Sequence, residues 1–143
     1  MADTQLIEKL RRAAAVFEGT GVLAAYAFGS RITGRPRPDS DCDVGYFREL
    51  SAAPDPLPFR EEMRLADVLS QAAGVEVDLR DLSDAPLEAR GRAVEEGVRL
   101  FSGDDVRRVG LERDLLARYH DYKDAFRHMH ELRLRSGAGR RTH

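Results

Sequence analysis

The residues best suited to chemistry stand together early in the chain, where Phe28-Gly29-Ser30-Arg31 is followed by Asp41-Cys42-Asp43 with ten residues between Ser30 and Asp41. Two aspartates two positions apart on a strand project from the same face. Paired hard oxygen ligands suit Mg²⁺, which keeps several waters and is shared with substrate phosphates. Gly29 lets backbone approach a phosphate closely, and a helical turn beginning at Ser30 would offer free N–H groups to an anion. Arg31 and Arg35 flank this seat with fixed positive charge suited to a triphosphate tail, although arginine is frequent enough here that each reads equally well as plain surface. Ser40, at the end of the intervening loop, is counted with the nucleotide-binding set. A triphosphate seat beside paired carboxylates is the arrangement for in-line phosphoryl-type transfer.

These residues need elements to hold them. Leu6, Ile7, Leu10, Ala14 and Phe17 recur at helical spacing before Gly19, predicting an amphipathic helix over residues 4–18. Val22 to Phe28 is a continuous apolar run between glycines and reads as a buried strand. The stretch from Gly34 to Ser40 is a glycine- and proline-containing loop, and Asp41 to Phe47 reads as a second strand. Three prolines mark Ser51 to Pro58 as a surface linker, and residues 59–73 look helical. Val75 to Arg80 alternates apolar and charged residues, so Val75, Val77 and Leu79 face the core and Asp78 turns the other way; Glu76 shares the face of Asp78, and Asp81 lies nearby. Asp84 and Pro86 suit the cap and first turn of a helix to about Glu96, and Val98 to Phe101 suits an edge strand. From Asp104, Val106, Val109, Leu115, Tyr119, Tyr122, Phe126 and Met129 follow helical spacing to about Leu134. The order of elements gives an α/β (α+β) fold with a small mixed sheet flanked by helices and a long C-terminal helix.

A length of 143 residues fits one domain, taken as residues 1–135, with residues 136–143 expected to be a disordered basic tail. The formal charge of -2 gives no overall pull toward nucleic acid or membrane, and no direct nucleic-acid binding is expected. Cys42 has no mate in the chain, which excludes a disulfide-stapled fold and favours a reducing cytoplasm. The apolar run Val22–Phe28 is too short to cross a bilayer.

The spacing Gly29-Ser30, ten residues, Asp41-x-Asp43 resembles the signature of the minimal nucleotidyltransferases of the DNA polymerase β-like superfamily, and the Val77-Asp78-Leu79 strand matches the place of that family's third carboxylate. Cys42 stands where the family usually has an apolar residue. The resemblance implies a polymerase β palm-like fold, ATP as donor and two Mg²⁺ ions. It also implies that Asp41, Asp43 and Asp78 bind metal, with Asp78 as general base for the acceptor hydroxyl. It covers nearly the whole chain and is nearest to the MntA-like adenylyltransferase antitoxins of HEPN/MNT toxin–antitoxin systems. That nearness implies transfer of AMP to a tyrosine hydroxyl of a partner HEPN ribonuclease, which neutralises the toxin.

Two rival functions differ in kind: an antitoxin that sequesters its toxin without chemistry, and a transferase for small antibiotics, which generally needs a further domain or a dimer-built pocket. A third idea comes from Arg113, His120, Asp121 and Tyr122, which fit the Arg-x(4–6)-His-x-Tyr pattern of HEPN ribonucleases themselves, but the strands in the first hundred residues leave no room for that helical bundle. His128 and His130 are two apart on a helix and diverge, so a metal pair is not expected. Residues 107–143 hold ten Arg or Lys against five Asp or Glu, either a solvated face or a seat for an acidic partner or RNA.

Overall fold

A computed structural model describes residues 4–29 and 42–138 of the chain. The first helix, α1 (Thr4–Ala13), buries Leu6, Ile7 and Leu10 and runs into a tighter turn, Ala14–Phe17, that adds Ala14 and Phe17 to the same cover. Strand β1 (Val22–Phe28) follows, then β2 (Cys42–Arg48), α2 (Phe59–Ala73), β3 (Val77–Asp81), α3 (Leu87–Glu96), β4 (Val98–Ser102) and α4 (Asp105–Ala138). The sheet order is β3-β2-β1-β4. β1 is antiparallel to both β2 and β4, whereas β2 and β3 run parallel. The mixed sheet follows from the connections: β2 reaches β3 through a helical crossover, which permits parallel pairing.

Period-two alternation divides side chains between the two faces. Ala25 and Ala27 of β1, Cys42, Val44 and Tyr46 of β2, and Val77 and Leu79 of β3 pack in the larger core with α1 and α2. Ala24, Tyr26 and Phe47 face the other way into a smaller core with α3 and α4. Cys42 is fully buried, so the thiol serves as a small core hydrophobe. Val75 precedes β3 and packs only partly buried against the core. Leu115 and Tyr119 are the deeply buried apolar positions of α4, and a Cβ at Gly91 of α3 would fall 2.2 Å from Tyr119 Cγ, so the two helices approach too closely there for any side chain. The rest of the expected α4 stripe, Val106, Val109, Tyr122, Phe126 and Met129, is exposed. α4 runs to Ala138, beyond the helix end expected from spacing.

One expected cap is different. The N-cap position of α3 is Pro86, with no side-chain hydrogen bond, and the Asp84 carboxylate instead accepts from Arg48 Nη2 at 3.0 Å. A buried guanidinium leaves more donors to satisfy than a helix end open to water, and it takes the carboxylate. At the start of α4, Asp104 does cap, its Oδ1 accepting from the Arg107 N–H at 3.1 Å.

Arg48, at the C-terminal end of β2, is only 3% exposed. Its Nε donates to Asp81 Oδ2 at 2.7 Å and its Nη1 to the carbonyls of Ala53 and Pro54 at 2.9 and 2.8 Å. Its own N–H donates to Ser83 Oγ at 2.9 Å, while Ser83 N–H returns to Asp81 Oδ1. Burial works against its charge, but the Asp81 hydrogen bond and the charges of Asp81 and Asp84 outweigh this and raise its pKa. The guanidinium thus ties β2 to the end of β3 and to the proline-containing linker. Replacing Arg48 by Met leaves Asp81 without its cation and two carbonyls without donors. The expected loss is about 3–5 kcal/mol of unfolding free energy, measured by urea denaturation against the unmutated protein.

Candidate functional site

Asp43 and Asp78 are direct partners across the parallel β2/β3 pairing, and Phe28 is the partner of Asp43 on β1. Adjacent strands are about 4.8 Å apart, which places the two carboxyl groups side by side. Alternation decides the face: with Cys42, Val44, Val77 and Leu79 turned to the larger core, Asp43 and Asp78 project from the opposite side of the sheet. They stand at the end of the sheet where β1 finishes and β2 and β3 begin.

Gly29 closes this end. Its φ of +94° lies in the left-handed region that favours glycine, and a Cβ there would fall 2.6 Å from Asp43 Oδ2. Backbone and carboxylate therefore approach each other with no space for a side chain. Ser30, Arg31, Arg35, Ser40 and Asp41 lie outside the described residues. Of the residues expected from sequence, the structure brings together Gly29, Asp43 and Asp78. Among the described residues no group of three or more His, Cys, Asp or Glu assembles for a metal; the expected set of three carboxylates includes Asp41.

Arg80 belongs to this site, and sequence reasoning did not single it out. Its Nε and Nη2 donate to Asp78 Oδ2 at 3.0 and 2.8 Å. Hydrogen bonding to Asp78, then the charge of Asp78 and, more weakly, that of Asp43, raise its pKa. The available signal was the period-two rule that placed Asp78: residue 80 is on the same face. Glu76 precedes β3 and holds the strand register through its carbonyl, which accepts from Cys42 N–H at 3.1 Å. Asp81 is taken up by Arg48. Beside Asp78, an open groove of about 590 Å³ runs between α2 and the outer edge of β3, past Met63, Asp67 and Gln71.

The donor set suits a hard divalent cation shared with phosphate oxygens: two adjacent carboxylates, partly exposed, with a side-chain-free backbone approach beside them. On the α4 side, His120 Nε2 lies 3.1 Å from Glu95 Oε1, and His130 stacks on Phe126, so neither histidine joins the carboxylates. Substituting Gly29 by Ala forces both a strained φ and a clash with Asp43. The expected result is a loss of more than about 1 kcal/mol of stability, read as a lower melting temperature.

The polymerase β nucleotidyltransferase family model matches residues 9–106, which contain all four described strands and every site residue named above. No curated protein matches the chain. Among solved structures, a mutant of the toxin–antitoxin MntA–HpeT is similar with TM-score 0.63 and 18% identity, over 85% of this chain and 95% of that one. A toxin–antitoxin structure with AMP-PNP has TM-score 0.61 and 20% identity, over 87% and 95%. A tri-AMPylated Shewanella oneidensis HEPN toxin in complex with MNT antitoxin has TM-score 0.60 and 19% identity, over 88% and 96%. At these identities the likeness is one of fold. The family match over most of the chain, on a mixed sheet that sets Asp43 beside Asp78, makes this protein a member of the polymerase β nucleotidyltransferase family.

Proposed function

We propose that this chain is an antitoxin that transfers AMP from ATP to a tyrosine hydroxyl of a partner HEPN-type toxin, in the cytoplasm where ATP is plentiful. The observation that carries the reading is the pairing of Asp43 with Asp78 next to Gly29. Its support from similarity is that related folds occur in toxin–antitoxin structures, one holding AMP-PNP and another an AMPylated HEPN toxin.

Asp41, Asp43 and Asp78 would hold one or two Mg²⁺ ions, which supply charge neutralisation on the triphosphate. Gly29 and Ser30, with Arg31, Arg35 and Ser40, would cradle the phosphates. Asp78 accepts the proton of the acceptor hydroxyl. The hydroxyl oxygen forms a bond to the α-phosphorus as the bond from that phosphorus to the oxygen bridging toward the β-phosphate breaks, and pyrophosphate leaves. Arg80 holds Asp78 in the salt bridge now present and would compensate its charge until the cation does so. Three converging carboxylates repel one another without cations, so bound Mg²⁺ with ATP should raise the melting temperature. An unchanged melting temperature would count against the site.

Intact-mass spectrometry of a HEPN-type partner incubated with the protein, ATP and Mg²⁺ tests the reaction. The partner should gain mass in whole adenylyl units. Asp43→Asn should abolish the gain and Asp78→Asn should slow it by about 10²–10⁴-fold, while both variants still co-purify with the partner. A partner silenced equally well by Asp43→Asn, with no adduct, would replace transfer by sequestration.

A further inference from the structure

Strand β3 is the outer strand of the sheet, bonded to β2 on one side only. The phase of that bonding is fixed at both ends, where Cys42 N–H donates to the Glu76 carbonyl at 3.1 Å and Leu82 N–H to the Tyr46 carbonyl at 2.8 Å. In a strand the two backbone groups of one residue point to the same side, and successive residues alternate. Glu76, Asp78, Arg80 and Leu82 therefore turn toward β2, while Val77, Leu79 and Asp81 turn outward. Val77 N–H is taken by Ser70 Oγ at 2.9 Å. The Val77 carbonyl and both backbone groups of Leu79 and of Asp81 have no partner among the described residues. Val77 and Leu79 bury their side chains in the larger core, so what they offer at this edge is backbone. β3 has no proline and its pairing with β2 no bulge, two of the devices that keep an edge from accepting another strand.

The groove of about 590 Å³ follows this edge. Its charged lining is Glu62 and Asp67 of α2 with Glu76 and Asp78 along the strand, and among the described residues no Lys, Arg or His lines it. Asp78 holds Arg80, and Glu62 accepts from the Tyr46 hydroxyl at 2.6 Å. Asp67 and Glu76 are exposed and make no ion pair among the described residues. Of the neighbouring α2 cations, Arg64 is paired with Glu61, and Arg60 precedes the lining without joining it.

We propose that the outer edge of β3 takes an extended, basic segment of the partner protein as an added strand, and that this segment carries the acceptor hydroxyl. The proposal deepens the transfer reading and rests on it for the role of the hydroxyl; the seat itself needs only the edge and the groove. An unpaired strand edge recognises an extended backbone, and side pockets then select its alternate side chains. The added strand would lie about 4.8 Å from β3, with its side chains alternating between the groove beside α2 and the opposite face of the sheet. A residue level with Asp78 on that opposite face brings its hydroxyl beside the carboxylate. Its neighbours one and three positions away turn into the groove, where Lys or Arg meets Glu62 and Asp67 and lays its stem on Met63 and Ala66. A second copy of this chain fits poorly, because pairing two β3 edges would set Asp67 and Glu76 of one copy against those of the other. The same carboxylates repel the phosphates of a nucleic acid.

The test is fluorescence anisotropy on the full chain, without nucleotide, with a labelled peptide of about nine residues. It has a central Tyr, Lys one and three positions away on either side, and Gln elsewhere. A control of the same composition has Lys two and four positions away, which moves every charge to the other face. The first peptide should bind roughly tenfold more tightly than the control. Two further versions carry N-methyl groups on alternate amides, one in each phase. One should lose binding and the other keep it, since only every second amide can donate to β3. Hydrogen exchange at the Leu79 and Asp81 amides, followed by NMR, should slow when the peptide binds. Asp67→Lys, at an exposed position of α2, should weaken binding by roughly tenfold while leaving the melting temperature and Mg²⁺–ATP binding unchanged. Equal binding of the two charge registers, equal binding of the two methylated versions, or indifference to Asp67→Lys would overturn the proposal. So would protection of the two amides without peptide that rises with protein concentration, which would put a second copy on the edge. If the peptide binds in this way but gains no adenylyl mass with ATP and Mg²⁺, the transfer reading alone fails. If a partner protein gains adenylyl units while the peptide does not bind, the seat fails and the reading stands.

Discussion

The register that sets residue 43 of β2 opposite residue 78 of β3 is the constraint on which the site depends. It is an unfavourable juxtaposition on its own, since two carboxylates at neighbouring strand positions repel each other. The fold supports it from both ends. At the start of β3, the carbonyl of Glu76 receives the Cys42 N–H, and at its end Leu82 N–H donates to the Tyr46 carbonyl while Arg48 grips Asp81. A slip by one residue would turn Val77 and Leu79 out of the larger core and turn Asp78 into it. Core packing and site geometry are thus the same requirement.

Arg48 and Arg80 divide the electrostatic task. Arg48 is buried, satisfied by two carboxylates and two carbonyls, and fixed in place; it fastens the strand ends and the linker away from the carboxylate pair. Arg80 is largely exposed, is paired among the described residues with Asp78, and sits on a long side chain that can swing away. A cation arriving at the carboxylates would meet an arginine that can be displaced at small cost, because an exposed ion pair contributes little to stability.

Much of this was legible in the sequence, where local patterning and tertiary packing agree. The run Val22–Phe28 between glycines matches β1 end to end, and the alternation around Asp78 correctly gave the face of that carboxylate. The same alternation also held the information for Arg80, since residues 78 and 80 share a face. Arg48 was not legible, because its role depends on where Asp81, Asp84 and the carbonyls of the linker meet in space, and none of these is at a fixed sequence offset from it. The Asp84 cap failed for the same reason: a locally sensible cap yielded to a long-range guanidinium. On α4, spacing identified the helix but did not show that only Leu115 and Tyr119 of its stripe are deeply buried, so residues that look like core are surface.

The most direct test of the central claim is a Mn²⁺ titration followed by electron paramagnetic resonance, with a non-hydrolysable ATP analogue present, on the unmutated protein and on Asp43→Asn. If Asp43 and Asp78 form the metal seat, the unmutated chain binds Mn²⁺ together with the nucleotide, and Asp43→Asn loses that bound signal while keeping its fold. Equal Mn²⁺ binding by the two proteins would show that the paired carboxylates are not the metal site and would contradict the account.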